Sequence, residues 1–382
     1  MYVPCLFKSF FMGGFECSTH RRDDGRRLDL LQSTGHDRWA AEDYATLRRL
    51  GLQTVRDGVR WHLVEQQAGH YDWSSFLPML RAAQQQDVQV IWDLGHYGWP
   101  DDIDIWQPAF VERFARFAAA VAQQVRDESD QVPFYVPINE ISFWSWAGGE
   151  VGYFNPCALD RSLELKHQLV RASIAAIEAI RAIDARARFV LVDPLIHVVP
   201  RDKRAASQAD AEAYRLSQFQ AWDMLAGRQW PGLGGKPEYL DIIGVNFYSN
   251  NQWYMGGGTL WRGEPGYRPL VGMLSEIYQR YQRPLCIAET GDEIGRRAAW
   301  FRYVCEQVEL ALQRTIPIEG ICYYPILDYP GWVDDRHCSA GLLGFADAQG
   351  QRPLYAPLGE ELKAQQAYFA EHLLASRQAL TS

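Results

Sequence analysis

The chain has 382 residues, of which 47% are hydrophobic and 22% are charged, and its formal net charge at pH 7 is −9. This composition is typical of a globular protein, and α/β barrels often reach this length as one domain. The negative charge argues against nucleic acid or an anionic membrane as the main partner, because both are bound through basic patches. No apolar run reaches the roughly 18 residues that a membrane span needs.

Seven cysteines are present without CxxC spacing. They predict free thiols rather than a disulfide framework. The N-terminal sequence MYVPCLFKSFFMGGF lacks the basic start, long apolar core and cleavage site of a signal peptide. We therefore expect a cytoplasmic protein, since thiols stay reduced in that compartment.

Strand-like and helix-like segments alternate along the whole chain. The predicted strands cover residues 10–16, 54–60, 88–94, 134–138, 189–192, 240–247, 285–289 and 318–324. The predicted helices cover 39–50, 74–86, a long segment from 108, 162–183, 209–225, 269–281, 296–313 and 358–374. Eight such units predict an α/β fold, a closed (β/α)8 TIM barrel, as a single domain over residues 1–382. The alternative, an open doubly wound sheet, lacks the GxGxxG fingerprint at its first turn.

Two predicted strands end in a glutamate. One is the fourth strand, which runs into Asn139 and Glu140, and the other is the seventh, which ends at Glu289. Active sites of α/β barrels lie at the carboxyl ends of the strands, and strands four and seven lie on opposite walls of an eight-stranded barrel. Glycoside hydrolysis uses two carboxyl groups, and retention of configuration requires them to be about 5–5.5 Å apart.

The two glutamates are assigned different roles. Glu140 is predicted to be the general acid/base, which requires a raised pKa, and Glu289 the nucleophile, which must stay ionised. Arg60 is the expected cation beside Glu289, and Tyr248 the expected hydrogen-bond donor. Asn139 is predicted to bind the sugar hydroxyl next to the reacting carbon.

Each of these residues also has a purely structural interpretation. A single glutamate at a strand end is more often a surface or ion-paired residue, and Arg60 is equally compatible with a structural ion pair. In combination the groups are more specific, because they follow strands two, four, six and seven and would face one opening of the barrel.

Several motifs resemble those of family 1 glycoside hydrolases, the β-glucosidase group of retaining barrels. The matching segments, spread over most of the chain, are HYGWP, PINEI, GGEVGYFNPC, GVNFYS, AETGD, YPILDYPGW and GLLGFAD. The resemblance implies that Glu140 is the acid/base and Glu289 the nucleophile. It further implies that His96, Asn246, Tyr248 and Trp332 contact the sugar.

The chain also departs from the family pattern. Ile141 replaces the proline after the acid/base, Tyr324 replaces a tryptophan, and Gly331 replaces a glutamate that holds two sugar hydroxyls. The N-terminal glutamine of the family has no clear equivalent. The candidates for the missing contact are Asp328, Asp334 and Asp335. Recognition of the sugar is therefore expected to differ, and glucose is not assumed.

Other residues have weaker signals. Asp93, Asp193 and His197 show no metal-binding spacing, and we predict no metal and no cofactor. One or two of the tryptophans after strand ends are expected to form a sugar platform, and most to pack in the core. These are Trp61, Trp144, Trp146, Trp253 and Trp261. The arginines at 21, 22, 26 and 27 are expected in a solvated loop, with attraction of an acidic sugar as the alternative.

The sequence thus predicts a retaining β-glycosidase acting on a small carbohydrate or glycoside. Two alternatives stay open at this point. A transglycosidase would use the same two glutamates, and a degenerate barrel would bind carbohydrate without catalysis. The sequence does not specify the sugar, the linkage, the aglycone or the oligomeric state.

Overall fold

A computed structural model describes residues 4–372 of the chain, in which eight parallel strands close into a barrel. The strands are β1 Phe11–Gly14, β2 Thr54–Gly58, β3 Gln89–Asp93, β4 Phe134–Val136, β5 Arg188–Pro194, β6 Ile242–Asn246, β7 Leu285–Thr290 and β8 Ile318–Tyr323. Their order around the barrel follows the chain, and Met12 of β1 pairs with Cys322 of β8 to close it. The predicted (β/α)8 barrel is confirmed.

Helices connect the strands and form the outer layer. They are α1 His36–Arg49, α2 Leu77–Gln85, α3 Pro108–Glu128, α4 Ile141–Gly149, α5 Ser162–Ile183, α6 Ala205–Leu216, α7 Gln220–Leu225, α8 Leu270–Tyr281, α9 Arg297–Gln313 and α10 Ala356–His372. The helix predicted over residues 209–225 is divided by a 3-10 turn at Ser217–Phe219. The predicted end of the last helix at Leu374 lies outside the described residues.

Shorter elements occur in the connecting loops. Two small sheets pair His197–Val199 with Gln252–Tyr254 and Tyr329–Pro330 with His337–Cys338. Short helices cover Leu30–Thr34 and Trp61–Val64. Further 3-10 turns lie at Trp73–Ser75, Pro231–Leu233, Pro237–Tyr239 and Ile294–Arg296.

The apolar core has two layers that follow from strand alternation. Successive side chains of a strand point to opposite faces, so one set fills the barrel and the other packs against the helices. In β5, Val190 and Val192 belong to the interior cluster, whereas Phe189 and Leu191 belong to the outer one. Burial on both faces explains why the strands read as nearly continuous apolar runs.

The cysteines and the helices bear on two expectations drawn from composition. All seven cysteines are free thiols, as expected from their spacing. Within residues 4–372, no helix combines the length and apolar character needed to cross a bilayer.

Candidate active site

A cavity of about 1280 Å³ opens at the carboxyl ends of the strands. Glu140 and Glu289 both line this cavity, although they are far apart in the chain. His96, Tyr248 and Trp332 line it as well. Most of the residues singled out in the sequence therefore lie around one opening of the barrel, where α/β barrels carry their active sites.

Glu140 lies where the chain turns from β4 into α4. Its backbone is left-handed, with φ 44°, which is uncommon for a residue other than glycine and costs on the order of 1–2 kcal/mol. The Glu140 amide donates to the carbonyl of Val192 at the end of β5, at 3.0 Å, and the Glu140 carbonyl accepts from the amide of Trp144. These bonds hold the strained residue at the rim of the barrel.

The Glu140 carboxyl accepts hydrogen bonds on both oxygens. The hydroxyl of Tyr97 donates to Oε2, and the Asn246 amide donates to Oε1 at 2.9 Å. Burial, together with the nearby charge of Glu289, raises the pKa of Glu140 to about 8. A carboxyl group with this pKa keeps its proton near neutral pH and can serve as a general acid.

Glu289 reaches the cavity because β7 contains a bulge. Val245 of β6 pairs with Ile287, but the next residue, Asn246, pairs with Glu289, so Ala288 is an extra residue in the ladder. Strict alternation would direct Glu289 outward together with Leu285 and Ile287, which pack against the helices. The bulge shifts the alternation of side chains by one residue, so that Glu289 faces the cavity. Bulges near active sites commonly redirect a side chain in this way.

The Glu289 carboxyl is held by a cation and a hydroxyl. Arg56 Nη1 donates to its Oε1 at 2.7 Å, and the Tyr248 hydroxyl donates to its Oε2 at 2.7 Å. A hydrogen bond between a guanidinium and a carboxylate is charge-assisted and stronger than one between neutral groups. The predicted donor Tyr248 thus lies in contact with Glu289.

The prediction that Arg60 neutralises Glu289 is wrong. Strand β2 ends at Gly58, and Arg60 instead precedes the short helix Trp61–Val64. Its Nη1 lies 3.2 Å from carboxylate oxygens of Asp29 and Asp37, in the loop and helix that follow β1. Because the strand is two residues shorter than predicted, Arg60 belongs to a structural ion-pair cluster outside the cavity.

Arg56 takes the place predicted for Arg60. Its side chain points into the barrel and pairs through two nitrogens with Asp93, at 3.0 and 2.7 Å, in addition to Glu289. Burial would raise the pKa of Asp93, but the charges of Arg56 and His96 outweigh burial and hold that pKa below its usual value. Arg56 therefore connects two buried carboxylates within one charge-assisted network.

Asn139 and His96 belong to the same network. The Asn139 amide oxygen accepts from Arg56 at 2.6 Å, and its nitrogen donates to the Tyr97 hydroxyl at 2.9 Å. Asn139 is fully buried behind the cavity wall, so its contact with a sugar hydroxyl stays a prediction. His96 Nδ1 lies 2.9 Å from Asp93, and although burial opposes it, this contact raises the pKa of His96.

Three residues of this site were missed by sequence reasoning: Arg56, Tyr97 and Glu16. Arg56 carried a signal, since a charged residue in the middle of an apolar strand must find a partner inside the barrel. Tyr97 follows His96 directly and has a left-handed φ of 67°. Glu16 lies just after β1 and lines the cavity, so the rule that selected Glu140 and Glu289 also applies to it.

The five tryptophans predicted near strand ends divide into two groups. Trp61 and Trp144 are fully buried and pack in the outer core, so only two of the five do so, whereas most were expected to. Trp146, Trp253 and Trp261 line the cavity. Trp332 packs against the rings of His20 and Tyr97, with centroids 4.6 and 5.7 Å away. Aromatic faces of this kind are available for stacking on a sugar.

One group of side chains has the spacing of metal ligands. Donor atoms of Cys17, Asp93 and His96 all lie within 4.8 Å of one another. The Asp93 carboxylate is already paired with Arg56, and burial raises the pKa of the Cys17 thiol well above its usual value, which disfavours the thiolate. The donor set therefore does not suit a divalent cation. Asp193 bonds to Ser142 and His197 to the carbonyl of Gly266, apart from each other.

The arginine-rich loop after β1 is engaged in ion pairs. Arg21 and Arg27 pair with Asp101, and Arg26 pairs with Asp335. None of these three arginines lines the cavity that holds the two glutamates. This arrangement does not favour attraction of an acidic sugar, but the side chains of Arg22 and Arg27 are only 19% and 15% exposed, so the loop is less solvated than expected.

Comparison with known proteins supports the motif-based resemblance. A family model described as Glycosyl hydrolase family 1 matches residues 41–227, a segment that includes Arg56, His96 and Glu140 but ends before Glu289. A search of curated proteins found no match. The chain is similar in structure to an enzyme called AHE from Alicyclobacillus herbarius, with 19% identity, a TM-score of 0.77, and coverage of 95% of this chain and 100% of that one.

A β-glucosidase from Thermotoga maritima, solved in complex with glucoimidazole, has 14% identity and a TM-score of 0.77, covering 96% of this chain and 99% of that one. The same β-glucosidase in complex with noeuromycin gives 15% identity and a TM-score of 0.76, covering 95% and 99%. At these identities the structural likeness establishes the fold. Together with the family model it supports a glycoside hydrolase, and the predicted resemblance to family 1 glycoside hydrolases is confirmed.

Proposed function

We propose that this protein is a member of glycoside hydrolase family 1 and a retaining β-glycosidase. The observation that carries the proposal is the contrast between two carboxyl groups that line one cavity. Glu140 has a pKa raised to about 8 and is bonded to neutral donors, whereas Glu289 accepts hydrogen bonds from the Arg56 guanidinium and the Tyr248 hydroxyl. Double displacement at a sugar requires one carboxyl group as the acid and one as the nucleophile.

In the first step, a Glu289 oxygen attacks the anomeric carbon while Glu140 gives its proton to the departing glycosidic oxygen. The bond to the aglycone breaks as the glycosyl–Glu289 bond forms. In the second step, Glu140, now ionised, takes a proton from water, and the resulting hydroxide displaces Glu289. Two inversions return the sugar with its original configuration.

The test uses a panel of aryl β-glycosides with Glu289→Ala and Glu140→Ala. Both variants are expected to lose turnover, and Glu164→Ala, on the exposed first turn of α5, serves as the control. Azide should rescue Glu289→Ala with formation of the α-glycosyl azide, because the small anion enters where the nucleophile was removed. Absence of rescue, or rescue with retained configuration, would contradict the assignment of Glu289.

Labelling with a 2-fluoro glycoside tests the same assignment independently, because it traps the sugar on the nucleophile. Recovery of the label on the peptide containing Glu289 is expected. A protein that binds the glycoside without becoming labelled would indicate a carbohydrate-binding barrel. Products that carry an added alcohol instead of water would indicate a transglycosidase.

We also infer a cytoplasmic location, supported by the seven free thiols, five of which are buried. Cell fractionation tests this inference. Recovery in a secreted or periplasmic fraction would contradict it.

A further inference from the structure

A third carboxyl group of the cavity has no role in the proposed reaction. Glu16 lies two residues after the end of β1 and lines the same cavity as Glu140 and Glu289. The residue is only 8% exposed. A buried carboxyl group in an active-site cavity is unfavourable unless it has partners, so its bonding shows whether it is structural.

The Glu16 carboxyl is only partly satisfied by the protein. The amide of Ser18 donates to Oε1 at 3.0 Å. The nearest nitrogen of His96 lies 3.7 Å from the same oxygen, which is beyond hydrogen-bond distance. Among residues 4–372, no group donates a hydrogen bond to Oε2. Glu16 therefore retains the capacity to accept hydrogen bonds from a molecule in the cavity.

Among the described residues, the one cationic partner within 4.0 Å of the Glu16 carboxyl group is the His96 imidazole, at 3.7 Å. Arg56 directs its nitrogens to Asp93, Glu289 and Asn139. Burial, together with the charge of Glu289, raises the pKa of Glu16 to about 7 against the opposing influence of His96. A structural ion pair would leave this carboxyl group with a depressed pKa, so its environment indicates a group held ready for a polar ligand.

The surroundings of Glu16 have the character of a sugar subsite. Its neighbour His96 contacts the ring of Tyr97, and Tyr97 in turn contacts Trp332. Tyr324 lies parallel to the His96 ring, and Tyr324 and Trp332 also line the cavity. Apolar ring faces beside a few well-placed polar groups are typical of small-molecule sites.

The three aspartates considered for the contact missing at Gly331 are all engaged elsewhere. Asp328 accepts from the Gly341 amide at 2.8 Å and lies 2.9 Å from His337. Asp335 pairs with Arg26, and Asp334 accepts from the backbone of Arg336. None of the three lines the cavity.

We propose that Glu16 determines sugar specificity by accepting hydrogen bonds from hydroxyl groups of the glycone, with His96 beside it and Trp332 against the ring. This inference rests on the proposed function, because it assumes that the glycone occupies the cavity between Glu140 and Glu289. A carboxylate on the β1 loop would thereby supply the contact that the loop after β8 lacks at Gly331.

The test compares Glu16→Gln and Glu16→Ala with the wild type on nitrophenyl β-glycosides and on monodeoxy analogues of the preferred sugar. Because the bond would be made to the glycone in the transition state, its removal should lower kcat/KM for the parent sugar by roughly 10- to 150-fold. The loss should be much smaller for the analogue that lacks the hydroxyl bound by Glu16. Asp334→Asn is the control and should leave kcat/KM near the wild-type value.

Equal losses on every deoxy analogue, or unchanged kinetics of both Glu16 variants, would overturn the inference while leaving the proposed function intact. Thermal unfolding and 2-fluoro labelling of Glu289 show whether each variant retains its fold and nucleophile. Failure of the wild type to hydrolyse or become labelled would contradict the proposed function instead. Calorimetric binding of an iminosugar such as deoxynojirimycin then tests Glu16 without turnover, since unchanged affinity in Glu16→Ala would still refute the contact.

Discussion

Glu140 and Glu289 are the same residue type in one cavity, and their partners make them chemically different. Glu140 is bonded to two neutral donors, Tyr97 and Asn246, whereas Glu289 is bonded to the guanidinium of Arg56. Burial penalises the charge of Glu140, and the charge on Glu289 adds to this penalty. The contrast between the two carboxyl groups follows from the position of the Arg56 guanidinium beside Glu289.

The raised pKa of Glu140 predicts the alkaline limb of the pH profile. Glu140 must be protonated in the free enzyme to act as an acid, so kcat/KM should be maintained below the pKa of about 8 and should fall as pH rises through it. A dinitrophenyl glycoside, whose leaving group needs little protonation, should show a weaker decline. A limb of equal steepness for both substrates would contradict the assignment of Glu140 as the acid.

The contact between Arg56 and Glu289 predicts the effect of replacing Arg56 by lysine. Lysine keeps the charge but cannot reproduce the paired bonds that Arg56 makes with Asp93 and Glu289. Arg56→Lys should lower kcat/KM by roughly 10²-fold or more and should also lower the melting temperature. The matched variant Arg60→Lys should keep kcat/KM near the wild-type value, because Arg60 contacts its two carboxylates through one nitrogen. Greater loss of activity in Arg60→Lys would restore the original prediction.

At the scale of elements, two local irregularities place the two glutamates that we propose to be catalytic. A left-handed residue ends the β4 segment at Glu140, and a bulge at Ala288 turns Glu289 inward. Regular strands would satisfy more ladder bonds but would direct Glu289 toward the helices. The two irregularities therefore position residues of the cavity and do not add to the hydrogen bonding of the barrel.

Packing inside the barrel next to β7 predicts the effect of a single added methyl group. A Cβ at Gly244 of β6 would lie 2.8 Å from Val192 and 2.9 Å from both Ala288 and Val190. Gly244→Ala should destabilise the protein by about 1–3 kcal/mol through overpacking, measured as the free energy of unfolding in urea.

Gly272 in α8 provides the matched control for Gly244. A Cβ there would meet no heavy atom closer than 3.7 Å. Gly272→Ala should stabilise the protein by about 0.5–1 kcal/mol, because glycine loses more conformational freedom in a helix. Stabilisation by both substitutions would show that the barrel interior is less tightly packed than described.

At the scale of the whole molecule, the barrel closes by pairing its first strand with its last. The interior cluster contains Met12 from β1 and Cys322 from β8, as well as residues from strands between them. Neither half of the chain can complete this interior alone. We therefore expect the single domain predicted over residues 1–382 to unfold in one calorimetric transition. Two separated transitions would indicate that parts of the barrel unfold independently.

The sequence by itself determined the barrel, because alternating apolar strands and amphipathic helices leave few other ways to bury both faces of a parallel sheet. It also selected Glu140 and Glu289, since strand ends in such a barrel meet at one opening.

Tertiary structure alone decided which arginine serves Glu289 and how Glu289 reaches the cavity. The end of β2 and the bulge in β7 depend on pairing with neighbouring strands, which a pattern within one segment does not encode. The partners of Glu16 likewise come from distant segments, so its unsatisfied oxygen becomes visible only when those segments are assembled.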